Sequence, residues 1–266
     1  DIAIVFGEQT YTFGELLILV NQLASLLENK GISERDCIAV LSENRLEYTA
    51  LQLACSRIGA QISCLNWRLG PHELRHCIEL VDPVLVICSD RFQGLLENAD
   101  IELNQTILPI EEILRLSLEL EPSRRAPSCD PERGLLLLYT SGTTGLPKAA
   151  LISNRALIAR MCNFHIDLKI QRGDAYLAWA PMFHMGGTEH SLSSLMMGSP
   201  VIICDGLDLD YMLTIIESYQ LGWLMLVPAT IEPLLDKIDK SKTKVRGIRV
   251  AGSMPDLLPK ELILRT

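Results

Sequence analysis

Two stretches of the chain combine residue types and spacings that could do chemistry. The first is Tyr139-Thr140-Ser141-Gly142-Thr143-Thr144-Gly145-Leu146-Pro147-Lys148, which directly follows the apolar run Gly134 to Tyr139. Gly142 and Gly145 allow positive φ and a close backbone approach to a ligand. Thr140, Ser141, Thr143 and Thr144 supply hydroxyl donors, and the backbone amides of such a turn can converge on an anion. Pro147 stiffens the exit and Lys148 adds a compact positive charge. Together these residues form a candidate cradle for a polyphosphate. The spacing matches neither the Walker loop nor the dinucleotide-binding Gly-x-Gly-x-x-Gly. The second stretch is His72-Glu73-Leu74-Arg75-His76, which reads His-Glu-x-x-His. On a helix its two histidines share a face and could hold zinc, with Glu73 as base. Pro71, however, places His72 in a first helical turn, on a solvent-facing stripe, and no third ligand follows at a suitable spacing.

The elements that must position these residues alternate in type. Thr12 opens a capping box with Glu15, followed by an apolar helical face at Leu16, Val20, Leu23 and Leu27. Short apolar strands are expected at Cys37 to Leu41, Ile62 to Leu65 and Val84 to Cys88, with helices over Arg45 to Ile58 and His72 to Val81 between them. Pro122, Pro127, Pro131 and Arg124-Arg125 mark a linker over Glu119 to Arg133. Beyond the phosphate-loop candidate, helices are expected at Ser153 to Leu168, Gly187 to Met197, Asp208 to Tyr219 and Thr230 to Ile238. Strands are expected at Ala175 to Ala180, Val201 to Cys204, Trp223 to Val227 and Gly247 to Ala251. Such alternation, with strands apolar throughout, predicts an α/β fold whose largely parallel sheets are covered by helices.

Composition narrows the function classes. Of 266 residues, 48% are hydrophobic and 21% charged, enough apolar surface to offset the ordering entropy of a folded chain. The formal net charge of −9 repels a phosphate backbone at long range and argues against a nucleic-acid partner. No apolar run reaches the length of a membrane helix. The eight cysteines form no Cys-x-x-Cys pair and mostly fall within apolar runs. They read as reduced, core-filling thiols and point to the cytoplasm. No Gly-x-Ser-x-Gly supports a serine hydrolase.

Tyr139 to Ser153 resembles the phosphate-binding signature of the adenylate-forming enzymes: acyl-CoA synthetases, luciferases and peptide-synthetase adenylation domains. The resemblance covers nearly the whole chain. Phe6 to Glu15 is similar to the family's opening segment and Gly59 to Leu69 to its Leu-Asn-x-Arg-Leu segment. Pro181-Met182-Phe183-His184 resembles the Pro-x-Phe-His motif of the acyl-CoA synthetase branch. Ala251-Gly252-Ser253 resembles the strand-end loop that lies against adenine. Ala149, Asn154 and Met254 depart from the residues common at their positions.

The resemblance implies two stacked sheet-and-helix subdomains, one formed by about residues 57–164 and the other by 1–56 with 165–266. It also implies that the chain matches the N-terminal half of such an enzyme, without the C-terminal lid, and is inactive alone. The implied reaction activates a carboxylic acid with ATP to acyl-AMP and then, with coenzyme A, to acyl-CoA. ATP, Mg2+ and coenzyme A are the implied cofactors and substrates. Thr140, Ser141, Gly142, Thr143, Thr144, Gly145 and Lys148 are implied to hold the ATP phosphates. His184 is implied to line the acyl pocket, and Ala251, Gly252 and Ser253 the adenine. Amino-acid-activating relatives usually carry an aspartate after this phenylalanine. Here His184 follows Phe183, which favours a carboxylic acid without an ammonium group. An uncovered sheet flank near Thr266 makes a homodimer a candidate. The alternatives are an amino-acid-activating domain, a zinc hydrolase using His72 and His76, and a protein that only binds a nucleotide or another protein.

Overall fold

The computed structural model describes residues 1–100, 106–128, 130–140, 145–254 and 259–265. The chain opens with strands β1 (Ile2–Phe6) and β2 (Gln9–Thr12), then helix α1 (Phe13–Asn29), β3 (Cys37–Leu41), α2 (Leu46–Ile58) and β4 (Gln61–Cys64). Next come α3 (Pro71–Val81), β5 (Leu85–Cys88), α4 (Gln93–Asn98), β6 (Thr106–Pro109), α5 (Ile110–Leu118), β7 (Gly134–Thr140) and β8 (Lys148–Ser153). The remainder is α6 (Asn154–Asp167), β9 (Ala175–Ala178), α7 (Met185–Met196), β10 (Val201–Ile203), α8 (Leu209–Ser218), β11 (Leu221–Met225), α9 (Pro228–Ser241), β12 (Ile248–Gly252) and α10 (Lys260–Arg265).

The strands form two six-stranded sheets, ordered β12-β11-β9-β10-β1-β2 and β6-β5-β3-β4-β7-β8. All pairings are parallel except the edge pairs β1-β2 and β7-β8. The strands are apolar throughout because each central strand is covered on both faces. In β3, Ile38 and Val40 face a core shared with α1, α2, α5 and α7, while Ala39 and Leu41 face the cluster beneath α3 and α4. In β9, Tyr176 and Ala178 turn to the shared core, and Ala175 and Leu177 to the cluster beneath α8 and α9. The shared core joins the two sheets face to face, so the expected stacked α/β fold is the observed one.

Local chemistry sets several boundaries. The Thr12 hydroxyl accepts from the Glu15 amide at 3.2 Å, and the Glu15 carboxylate accepts from the Thr12 amide at 2.8 Å. This capping box starts α1 and contributes about 1 kcal/mol. The pattern does not assign β1 and β2, α4, β6 and α5, or β8. β1 and β2 form a hairpin at a sheet edge, β6 and α5 follow residues 101–105, and β8 returns antiparallel to β7. The chain also enters the second sheet before residue 57. β3 pairs with both β4 and β5, so Cys37–Leu41 joins that sheet rather than the flanking segment. Cys37, Cys55, Cys64, Cys77 and Cys88 are buried free thiols, whereas Cys162 is exposed on α6. Among the described residues, no helix is long and apolar enough to cross a membrane.

Candidate functional site

The candidate residues lie at or near strand ends, where loops of α/β sheets meet ligands. β7 carries Thr140 at its exposed end, and β8 begins with the exposed Lys148. The two residues are register partners, and Tyr139 pairs with Ala149. Antiparallel pairing thus brings the entrance and the exit of the loop side by side. Ser141, Gly142, Thr143 and Thr144 lie outside the described residues. Gly145 has φ of 100°, a left-handed conformation suited to glycine, and among the described residues nothing crowds the place of a side chain there. Among the described residues Lys148 forms no ion pair, which leaves its charge available to an anion.

His184 is the residue before α7 and is exposed, following the buried Met182 and Phe183. Its amide donates to the Pro181 carbonyl at 3.0 Å, and its own carbonyl accepts from Gly187 and Thr188, each at 3.1 Å. A side chain at Gly187 would collide with the Pro181 and Ala180 carbonyls, so a glycine is what lets α7 start this close to the turn. The imidazole packs on Phe183 with centroids 4.5 Å apart. Desolvation first, and the Arg68 charge second, lower its pKa below the ordinary 6.5. The ring is therefore neutral at pH 7.

A residue not singled out from the sequence secures this turn. Asn44 is buried just past β3. Its Nδ2 donates to the carbonyls of Ala178, Ala180 and Cys204 at 3.1, 2.8 and 3.0 Å, and its Oδ1 accepts from the Met182 amide at 2.8 Å. One side chain from the second sheet thereby contacts four backbone groups near the ends of β9 and β10, its two N–H hydrogens shared among three carbonyls, of which that of Ala178 also accepts from the Cys204 amide at 3.1 Å. Its only sequence signal is a polar residue placed soon after a buried strand. Trp67 makes a second link. Its ring stacks on Phe92 at 5.3 Å and meets Phe183 edge-on at 5.5 Å, with the Arg68 guanidinium 5.0 Å from its centroid.

Ala251 and Gly252 end β12 and Ser253 follows, with Ala251 and Ser253 exposed. The Trp223 ring of β11 lies against Gly252 and stacks on His190 of α7 at 4.9 Å. His190 also stacks on Phe164 at 4.5 Å. The proposed adenine edge and the helix that follows His184 therefore share one aromatic slab.

The His-Glu-x-x-His residues are engaged elsewhere. The Glu73 carboxylate accepts from the Gly70 amide at 3.1 Å and caps α3. His76 Nε2 lies 3.0 Å from the Pro147 carbonyl, while His72 is exposed. Among the described residues no three His, Cys, Asp or Glu side chains group to hold a metal ion. Capping and loop contacts thus occupy Glu73 and His76, two of the three groups the zinc reading required.

A family model described as AMP-binding enzyme matches residues 1–266. The indoleacetate–CoA ligase of Aromatoleum aromaticum is 32% identical over 274 residues, covering 98% of this chain and 53% of that protein. The 2-succinylbenzoate–CoA ligase of Bacillus subtilis is 24% identical over 258 residues, covering 97% and 52%. The chain thus spans about half the length of the curated relatives it matches. Among solved structures, ATP-bound MatB from Rhodopseudomonas palustris superposes with a TM-score of 0.82 at 22% identity, covering 95% of this chain and 51% of that one. The o-succinylbenzoate coenzyme A synthetase of Bacillus subtilis in complex with AMP gives 0.83 at 22% identity, covering 99% and 66%. At these identities the structural likeness shows a shared fold.

Proposed function

Because this chain belongs to the AMP-binding enzyme family over residues 1–266, we propose that it forms the nucleotide and acyl half of an AMP-forming acid–CoA ligase. The observation that carries the reading is the β7-β8 hairpin, which sets Thr140 opposite an exposed Lys148 that forms no ion pair among the described residues. A carboxylate is a poor electrophile because its leaving group would be oxide. In the proposed reaction its oxygen attacks the ATP α-phosphorus and pyrophosphate departs. The coenzyme A thiol then attacks the acyl carbon, AMP departs and the thiol proton is released.

Catalysis of such a transfer rests on positioning and on neutralising phosphate charge. Lys148 supplies a cation to the departing pyrophosphate. Thr140, with Ser141, Gly142, Thr143, Thr144 and Gly145, supplies donors to the same oxygens. Ala251, Gly252 and Ser253 border the adenine. Magnesium takes oxygen ligands. The described residues group no carboxylates for it, so it is assigned to the chain only as the counter-ion of the substrate ATP, and no step runs through it.

His184 stands beside the reacting carboxylate in this reading. A neutral imidazole gives no counter-charge to a buried ammonium, which supports a carboxylic acid without an α-amino group. The names of the relatives, an indoleacetate–CoA ligase and a 2-succinylbenzoate–CoA ligase, point the same way. The test is acid-dependent pyrophosphate release and thioester formation by the full-length enzyme across aryl, arylacetic and aliphatic acids and free amino acids. Thioester from acids lacking an amino group is expected, with His184→Ala reordering the preferred acids while the KM for ATP stays within about twofold. Release with amino acids alone overturns the reading, as does no release with any acid.

A further inference from the structure

We propose that α3 is a two-point clamp on the phosphate loop, with His76 as the positioning residue that sets Lys148. The inference rests on the nucleotide reading of that loop and goes beyond it to a residue that does not touch the nucleotide. Two successive residues of α3 reach the two stems of the loop. His76 Nε2 lies 3.0 Å from the carbonyl of Pro147, the residue before Lys148. The Cys77 carbonyl accepts from the Tyr139 hydroxyl at 2.8 Å, one residue before Thr140. The Ser63 hydroxyl of β4 adds a second bond to the Tyr139 oxygen at 2.7 Å. One contact therefore holds the end of β7 and the other the start of β8.

The clamp has a firm base. Leu74, Cys77 and Ile78 are buried in the apolar cluster that also contains Ala39, Leu41 and Val86 of the sheet. Glu73 closes the first turn of α3 by accepting from the Gly70 amide. Pro147 has no amide hydrogen, so its carbonyl is the backbone group by which its position can be held. A carbonyl only accepts, so Nε2 of His76 carries the hydrogen in this contact. The Tyr139 hydroxyl is raised in pKa by burial and stays a donor.

The consequence concerns geometry rather than charge. Lys148 is exposed, and a flexible side chain binds an anion best when its backbone is already placed. Fixing Pro147 fixes the backbone from which Lys148 projects. The same contact explains why a His-Glu-x-x-His pattern occurs here without the third ligand of a zinc site. Glu73 caps the helix and His76 holds the loop.

The test compares His76→Leu, which removes the donor, with His76→Gln, which keeps one. Amide exchange at Leu146 and Lys148 is followed in the ATP-free protein, and ATP affinity by equilibrium dialysis. His76→Leu is expected to speed exchange at these amides and to weaken ATP binding, each about fivefold, the effect of one lost hydrogen bond. His76→Gln is expected to restore both to within about twofold. Tyr139→Phe releases the other stem and is expected to speed exchange at Thr140. Unchanged exchange at Leu146 and Lys148 in His76→Leu overturns the clamp. So does acceleration spread evenly over α3 and its sheet with a lowered Tm, since that marks general support of the fold. Failure of the unsubstituted protein to bind ATP counts against the nucleotide reading, while the exchange comparison still decides the clamp.

Discussion

At the β7-β8 edge, the residues assigned to phosphate fall within the single stretch from Thr140 to Lys148, and a hairpin brings the two ends of that stretch together. Past the end of β9, the turn carrying His184 is secured from far away in the chain. Asn44, Trp67 and Arg68 reach it from the other sheet. The first region can change in its loop chemistry without loosening the sheets. In the second, the groups that shape the site also join the sheets, so site and fold fail together.

Asn44→Ala tests that difference with the largest expected effect. It removes Asn44 as the partner of the Ala180 and Cys204 carbonyls and the Met182 amide, while the Ala178 carbonyl keeps its bond from the Cys204 amide. A loss of roughly 2–4 kcal/mol is expected. Denaturant titration measures it, and a loss below about 1 kcal/mol would falsify the idea that Asn44 holds the turn.

His190 sharpens the comparison through pH. Burial, and then the Arg160 charge, push its pKa down to about 4 from the ordinary 6.5. Arg160 is itself bonded to the buried Glu189. Between these values the unfolded chain binds more protons than the folded one, so stability rises with pH. The contribution is complete above pH 6.5 and is lost as pH falls toward 4. The loss is roughly 1–3 kcal/mol. His190→Phe keeps the stack on Phe164 and Trp223 and should flatten the fall in Tm over that window. An equally steep fall in the variant would show that other groups cause it.

Lys148→Ala has the smallest expected effect on the fold and a selective one on binding. ATP affinity should fall about tenfold, or ~1.4 kcal/mol. The Tm should stay within about 1 °C, because Lys148 is exposed and forms no ion pair among the described residues. Equal losses of affinity and stability would erase the distinction between the two regions.

Legibility in the sequence follows the same division. The capping box at Thr12, the buried strands and the run from Tyr139 to Lys148 are local patterns, and each could be read from its own residues. β8 was missed because Lys148-Ala149-Ala150-Leu151-Ile152-Ser153 lacks the alternation of a half-buried strand and takes its conformation from pairing with β7. β3 was assigned to the flanking segment because an apolar strand does not reveal which sheet it enters. His72 and His76 show the limit of a short motif. Their spacing allowed a metal site, and only the positions of Gly70 and Pro147 showed what Glu73 and His76 bind.

The sequence by itself determined where helices and strands alternate, which residues fill the two-faced strands, and that a hydroxyl-rich glycine loop ends in a lysine. These follow from periodicity, capping chemistry and backbone freedom, which act over a few residues. The tertiary structure alone decided that Asn44 satisfies the strand ends beneath His184, that Trp67 meets Phe183, and that α3 grips both stems of the loop. Those contacts join residues far apart in the chain. They form only when two sheets close on one core and bring buried polar groups within hydrogen-bonding distance of each other.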